Sequence, residues 1–387
     1  MSGSTNSEIS PENRKELYEK LGGVWDLGAN VLIGWRAAAG GIELLYLPSL
    51  ELPIAAKRHR GLLERNRHMG DSDRYSDFLN AGCSSIRIPL SFDIHETEPF
   101  ILQMEAILRY YTVTHSKSRA VALFDIVQFS HHSAFVGISQ INILSFHANL
   151  AASHVTAAGL PIDLNMSTTG DGFYIWNRNE GLSADLALFY VTGLVLAYNQ
   201  FALDDQPHNT LPVLRCCFGF GEYYEYYQAS GTKPDSRGFI VGDITIDLAR
   251  LISTALPKQL LIGSRIRPND APGGNDSNIH NAPRIDMPMF FNFAQKNARV
   301  LNGSPIGKGS IAEVRMRLTG DALSEQEYTM KKYDVIDKHG FSHRCFNATF
   351  DVRDSLGHDI KTGLPTESLI DFSALHIEKE DVRMKVI

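Results

Sequence analysis

The stretch Ala120–Ser130, reading AVALFDIVQFS, limits what this chain can fold into more than any other. It is an apolar run with a single acid, Asp125, near its end, and Ser130 then opens a long helical pattern. An apolar run bounded by a helix cap reads as a buried strand running into a helix. A second segment, Ser167–Trp176, reads STTGDGFYIW. Its Gly-Asp-Gly turn between extended runs is a hairpin signal. Taken singly, Asp125 also reads as a buried hydrogen-bonded acid and Asp171 as an ordinary turn residue. Taken together, an acid on a buried strand and an acid at a hairpin tip meet if the strands are neighbours. Two unpaired carboxylates there would be costly, and a divalent cation is their natural partner.

Around this pair the pattern alternates. A strand is expected over 119–128, a helix over 130–158, a hairpin over 160–168 and 172–177, and a helix over 183–203. An aromatic-rich strand at 213–227 and a short one at 238–242 follow, then an amphipathic helix at 243–255 and a strand at 258–264. Strand-helix-strand-strand-helix-strand is the ferredoxin-like split βαβ order, so the fold class expected is α+β. Ser10-Pro11 opens a short helix that ends at Gly22-Gly23. Residues 24–115 are mixed and take no assigned fold, 268–281 read as a long loop, and short alternating runs from Ile311 onward suggest a β-rich extension. The boundaries drawn are 1–115, 116–318 and 319–387.

Composition narrows the class. The net charge of −7 argues against a general nucleic-acid binder. Cys83, Cys216, Cys217 and Cys345 fit no zinc ligand spacing, and a reduced, cytoplasmic compartment is the simplest reading. Met1–Asn13 is polar, without a signal-peptide core. Leu186–Leu203 is the most membrane-like stretch, but it carries Gly193, Asn199 and Gln200 and reads as a buried helix, not a membrane span. The basic run Lys57–Arg74 reads as a solvated face, with a triphosphate-facing or contact surface as the alternative. His131-His132 lacks metal-ligand spacing, and Gly219-Phe-Gly221 is too little for a dinucleotide fingerprint.

Three motifs, in order and on the expected elements, resemble the class III nucleotidyl cyclase family over roughly 118–265. They are Leu123-Phe-Asp-Ile-Val-Gln-Phe-Ser130, Gly170-Asp171-Gly172, and Gly242-Asp-Ile-Thr-Ile-Asp-Leu-Ala-Arg-Leu251 followed by Leu256–Ser264. The resemblance implies a cyclase catalytic domain at 116–318, flanked by an N-terminal helical or mixed region and a C-terminal β-rich extension. It implies two divalent cations, Mn²⁺ or Mg²⁺, held by Asp125, Asp171 and the Ile126 carbonyl, and a lyase that turns a nucleoside triphosphate into a 3′,5′-cyclic nucleotide and pyrophosphate. Phe129 and Ser130, at a helix start, would receive phosphate. Arg250 stands at the transition-state arginine position, and Lys308, in Ile306-Gly-Lys-Gly309, resembles a late phosphate-contacting lysine.

The departures bear on specificity. The purine-reading positions are Ser167 and Phe239, neither of which supplies the donor–acceptor pair that reads adenine. The transition-state Asn position is Ile246, beside Asp247, and the motif glycine is Gln128. This divergent pocket resembles the pyrimidine cyclases of bacterial anti-phage (Pycsar) systems. That branch implies cyclic CMP, or cyclic UMP, made as a signal for a separate effector protein. The alternatives are a purine (adenylate or guanylate) cyclase with unusual base contacts and a non-catalytic, cyclase-like nucleotide sensor. The family also implies a homodimer with two sites at its interface, the metal acids from one chain facing the arginine and base contacts of the other.

Overall fold

The computed structural model describes residues 8–70, 73–205, 208, 210–230, 233–265, 267–268, 284–320, 327–337, 339–369, 372 and 376–385. The expected loop at 268–281 lies almost wholly outside them. The chain divides into two units, Met1–Ser116 with Tyr224–Val241, and Lys117–Tyr223 with Gly242–Ile387.

The first unit opens with helix α1 (Pro11–Trp25), where the Ser10 hydroxyl accepts the Asn13 amide at 3.2 Å and proline fills the first turn. Strands β1 (Asn30–Ala38) and β2 (Gly41–Pro48) form a hairpin. Helices α2 (Leu52–Arg58) and α3 (Asp73–Asn80) follow, then β3 (Ser84–Pro89), which joins β2, and α4 (Glu98–Leu108). Alternate residues of the sheet feed separate cores. Leu32, Trp35 and Leu44 pack with Leu17, Trp25 and Phe100, whereas Ile33 and Leu45 pack with Tyr75 and Phe78. The Lys57–Arg74 run is largely consumed here, which corrects its triphosphate-facing reading. Arg67 is buried and donates to the carbonyls of Ile33, Leu62 and Val113, and burial pulls its pKa down to about 10. His68 pairs with Glu96 at 2.7 Å and Arg74 with Glu64 at 3.5 Å.

The second unit is built around β4 (Val113–Ile126), buried without a break from Arg119 to Ile126. It is followed by α5 (Ala134–Ala157), β5 (Leu164–Thr168), β6 (Gly172–Asn177), α6 (Leu182–Asp205) and β7 (Leu214–Ser230). Their order in the sheet is β7-β4-β6-β5. Fourth, first, third, second is the split βαβ arrangement, and the fold class is α+β as expected. Strand β8 (Lys233–Val241) pairs antiparallel with the far end of β7. Helix α7 (Asp243–Thr254) then leads to β9 (Leu260–Gly263), parallel to β7.

The remaining elements are β10 (Arg267–Pro268), β11 (Arg284–Ile285), α8 (Met287–Asn297), β12 (Pro305–Ile306), β13 (Gly309–Leu318), β14 (Glu327–Ile336), β15 (Ser342–Asp354), β16 (Asp359–Ile360) and β17 (His376–Lys385). Strand β15 lies between β9 and β13. The boundary drawn at residue 318 therefore cuts one continuous sheet: β13 reaches β9 only through β15.

Among the described residues α6 is long and apolar enough to cross a membrane, but 78% of that stretch is buried inside the protein. Ala184–Asn199 is buried throughout, as suits a core helix that is apolar all round. Gly193 lets the Phe350 ring lie where a Cβ would stand. Asp185 accepts the Arg119 Nε at 3.0 Å and the Ala120 amide at 3.1 Å, so its buried charge is matched.

His147 of α5 is different. It is 6% exposed, its Nδ1 has no hydrogen-bond partner, and burial lowers its pKa to about 4. The unfolded chain takes up this proton near pH 6.5. Between those values the unfolded state binds more protons, so stability falls as pH falls. Full titration costs about 3 kcal/mol at this site. Denaturant unfolding should therefore show His147→Phe gaining on wild type by up to that amount from pH 7 to 4. A pH-independent difference between the two would contradict the assignment.

Candidate active site

Asp125 and Asp171 are brought together by strand register. Antiparallel pairing sets Asp125 opposite Gly172, and the Ile126 amide donates to the Asp171 carbonyl at 2.9 Å. Gly172 is required by contact: a Cβ there would overlap the Phe124 carbonyl. Gly170 takes φ +103°, the left-handed region that favours glycine, and its amide donates to the Thr168 hydroxyl at 3.0 Å. The Gly-Asp-Gly tip is thus held tightly against the end of β4, where Thr169 Oγ1 lies 3.4 Å from Asp171 Oδ1.

Asp125 is 9% exposed. On the other side of β4, Arg215 at the start of β7 donates from Nε to Asp125 Oδ2 at 2.6 Å and from Nη1 to the Ala255 carbonyl at 3.1 Å. Burial raises the Asp125 pKa. Arg215 opposes that rise, and the nearby Asp171 charge adds to it. The site is therefore a buried carboxylate between a cation and a second carboxylate. The sequence reading missed Arg215, although it is the sole charged residue in the apolar run Leu211–Gly221.

The other expected residues divide. Phe129 packs on the core beside Gly137, and Ser130 is exposed in a 3-10 turn, Phe129–His131. The long helix starts three residues later than expected for a Ser130 cap: Ser133 is the cap, its hydroxyl accepting the Val136 amide at 3.4 Å. Gln128, at the motif glycine, adopts a left-handed φ of 57°. Ser167 is half-buried opposite Tyr174. Phe239 belongs to the first unit, its ring 5.8 Å from that of Tyr226.

Arg250 lies on α7 and lines a cavity of about 350 Å³ with Asp247, Arg265, Phe341, His343 and Arg344. Neither Asp125 nor Asp171 lines that cavity. Ile246, at the transition-state Asn position, is 48% exposed. Lys308 does not line the cavity that holds Arg250. It is exposed in the β12–β13 turn, and the neighbouring Ser310 is bound to Ser355 just past the end of β15. The residues around Arg250 come from the opposite end of β15, a strand length of roughly 40 Å away.

Asp125 Oδ1 and the Asp171 carboxylate supply oxygen donors only, which suits hard cations such as Mg²⁺ or Mn²⁺. A cation also relieves the cost of burying Asp125 beside a like charge. Among the described residues no group of three or more His, Cys, Asp or Glu gathers in a metal-holding cluster. The Ile126 carbonyl, water and substrate oxygens would have to complete the coordination, as is usual for Mg²⁺.

No protein-family model matches the chain, and no curated protein matches it. Solved structures with a likeness to it include the adenylyl cyclase CyaB from P. aeruginosa, with 13% identity over 63% of this chain and 96% of that one and a TM-score of 0.34. The guanylyl cyclase Cya2 gives 12%, 60%, 92% and 0.33. The guanylate cyclase domain of RhGC from Catenaria anguillulae gives 16%, 41%, 89% and 0.30. Likenesses at these scores carry no weight for activity, which has to stand on the residues themselves.

If Asp125 holds a cation, Arg215 on the same carboxylate opposes it, and Arg215→Met should tighten nucleotide-free Mn²⁺ binding by about three- to tenfold, as expected for removing one like charge near the metal. Electron paramagnetic resonance titration reads this directly. Unchanged or weaker Mn²⁺ binding would show that the pair does not gate the metal.

Proposed function

We propose that the chain is a class III nucleotidyl cyclase that converts a pyrimidine nucleoside triphosphate, CTP ahead of UTP, to its 3′,5′-cyclic nucleotide and pyrophosphate. The observation that carries this reading is the pairing of Asp125 with the Gly170-Asp171-Gly172 tip at the end of the central strand of a β7-β4-β6-β5 sheet. Two divalent cations bound there would orient the triphosphate, activate the 3′-hydroxyl and neutralise the pyrophosphate as it leaves. The 3′-oxygen bonds to the α-phosphorus as the bond to the β-phosphate bridge breaks.

The chain's own groups have separable tasks. Asp125 and Asp171 hold the cations. Arg215, 2.6 Å from Asp125, is placed to turn from that carboxylate to a phosphate once the cations arrive. Arg250 offers its guanidinium to the equatorial oxygens of the transferring phosphorus. Asp125 and Asp171 do not line the cavity that holds Arg250, and in the proposed homodimer each site is completed by the partner copy. Ser167 and Phe239, at the base-reading positions, lack the donor–acceptor pair that selects a purine edge. The product is a signal read by a separate effector in anti-phage defence.

Exposed Ile246, where an Asn would be expected, favours a second reading as a non-catalytic nucleotide sensor. One assay separates the readings. Purified protein with Mn²⁺ and each of the four triphosphates should yield a cyclic product from CTP or UTP, identified by mass. Asp125→Ala and Asp171→Ala should fall to background with the oligomer intact. Arg250→Ala should lose about 100-fold in kcat, with a smaller change in nucleotide affinity. Preference for ATP or GTP would reject the base assignment, and nucleotide binding without product would favour the sensor.

A further inference from the structure

The turn between β14 and β15 reaches α7 with a buried acid. Asp337 is 8% exposed. Its Oδ1 accepts the amides of His339 at 2.8 Å and Phe341 at 3.0 Å. Its Oδ2 lies 3.2 Å from His343 Nε2 and 3.1 Å from Arg250 Nε. The turn itself is closed by backbone bonds from Asp337 N to Phe341 O and from Gly340 N to Asp337 O, both 3.0 Å, with Gly340 at φ +82°. Burial works to raise the Asp337 carboxyl, but the Phe341 and His339 amides, the His343 hydrogen bond and the Arg250 charge outweigh it and hold it down to about 2. Asp337 is therefore a fixed anion, not a mobile surface group.

Arg250 is seated against that anion on one side. Its guanidinium carbon stands 5.3 Å from the centre of the Phe341 ring. Farther along α7, Asp247 is tied to Arg265 at 2.5 Å and faces His343 Nδ1 at 3.7 Å. Arg265, Asp247, His343 and Arg250 line the cavity, and Asp337 stands behind them, bonded to both His343 and Arg250. An arginine paired through Nε and stacked on a ring keeps its terminal nitrogens for another partner, with fewer rotamers to lose on engaging it.

We infer that Asp337 is a positioning residue, which acts through Arg250 by holding its guanidinium at the cavity in the orientation a developing phosphoryl charge requires. This rests on the cyclase reading for what Arg250 does, but the seat itself is tested separately. Asn at 337 keeps the oxygen that accepts the two turn amides and removes the charge that faces Arg250.

The test is a double-mutant cycle on the full-length protein, with side-chain order measured in parallel. Asp337→Asn should lower kcat about 10- to 100-fold, as expected for a displaced catalytic group, with KM changed less than about threefold. In an Arg250→Ala background the same substitution should have no further effect, because its route is already cut. The Arg250 Nε–H signal in a ¹H–¹⁵N spectrum, assigned by its loss in Arg250→Ala, should be ordered in wild type and mobile in Asp337→Asn. Phe341→Leu spares the Asp337 turn and should lower kcat in the same sense if Asp337→Asn does not fold.

Additive losses in the cycle, or an Arg250 signal equally ordered without the Asp337 charge, would overturn the positioning role. A wild type that makes no cyclic nucleotide yet shows Arg250 ordered only with Asp337 present would keep the seat and reject the cyclase reading.

Discussion

A carboxylate buried at the end of the central strand is the constraint on which the rest of the second unit depends. Asp125 sits inside an unbroken buried run, where its charge is opposed by desolvation and by Asp171. Among the described residues, Arg215 at 2.6 Å supports it with a hydrogen bond. Such a group persists when it has a use for its charge, because replacing a buried ion pair with apolar residues is often neutral or stabilising. The glycines around Asp171 serve the same end. Gly172 allows the hairpin tip to lie against β4, and Gly170 supplies the turn that brings the second acid over.

Arginines at the two places are held in different ways. Arg215 is held by the acid that a cation would claim under the proposed function, so a metal bound there would compete with the guanidinium for one carboxylate. Arg250 is held by Asp337, an anion already satisfied by its own turn, so its seat does not depend on metal. Under the proposed function, loading the site would release one arginine, while the other would stand ready before loading.

Much of this was legible in the sequence because it rests on local patterning. The alternation from Ala120 to Ser264 carries strand and helix periods that tertiary packing reinforces, and the resulting β7-β4-β6-β5 order agrees with the α+β reading. The convergence of Asp125 and Asp171 followed from a strand acid and a hairpin acid on neighbouring strands. What escaped was non-local. Nothing near Arg215 in sequence announces Asp125, ninety residues earlier. Asp337 reads as a turn acid until α7 is packed against it. β15 enters the sheet between β9 and β13, across the boundary drawn at residue 318, a crossover with no local mark. Lys308 matched a short motif, and strand length separates it from the residues around Arg250, at the other end of β15. The helix is capped three residues past Ser130, by Ser133, whose hydroxyl accepts the Val136 amide.

The account stands or falls on whether the two aspartates share a cation under a nucleotide. A crystal structure with Mn²⁺ and a non-cyclisable CTP analogue measures this most directly, through the anomalous signal of the metal. The expected result is Mn²⁺ bonded to both Asp125 and Asp171 with phosphate oxygens in its remaining positions, and Arg215 turned away from Asp125. Nucleotide bound with the Asp125–Arg215 pair intact and no metal on either acid would contradict it.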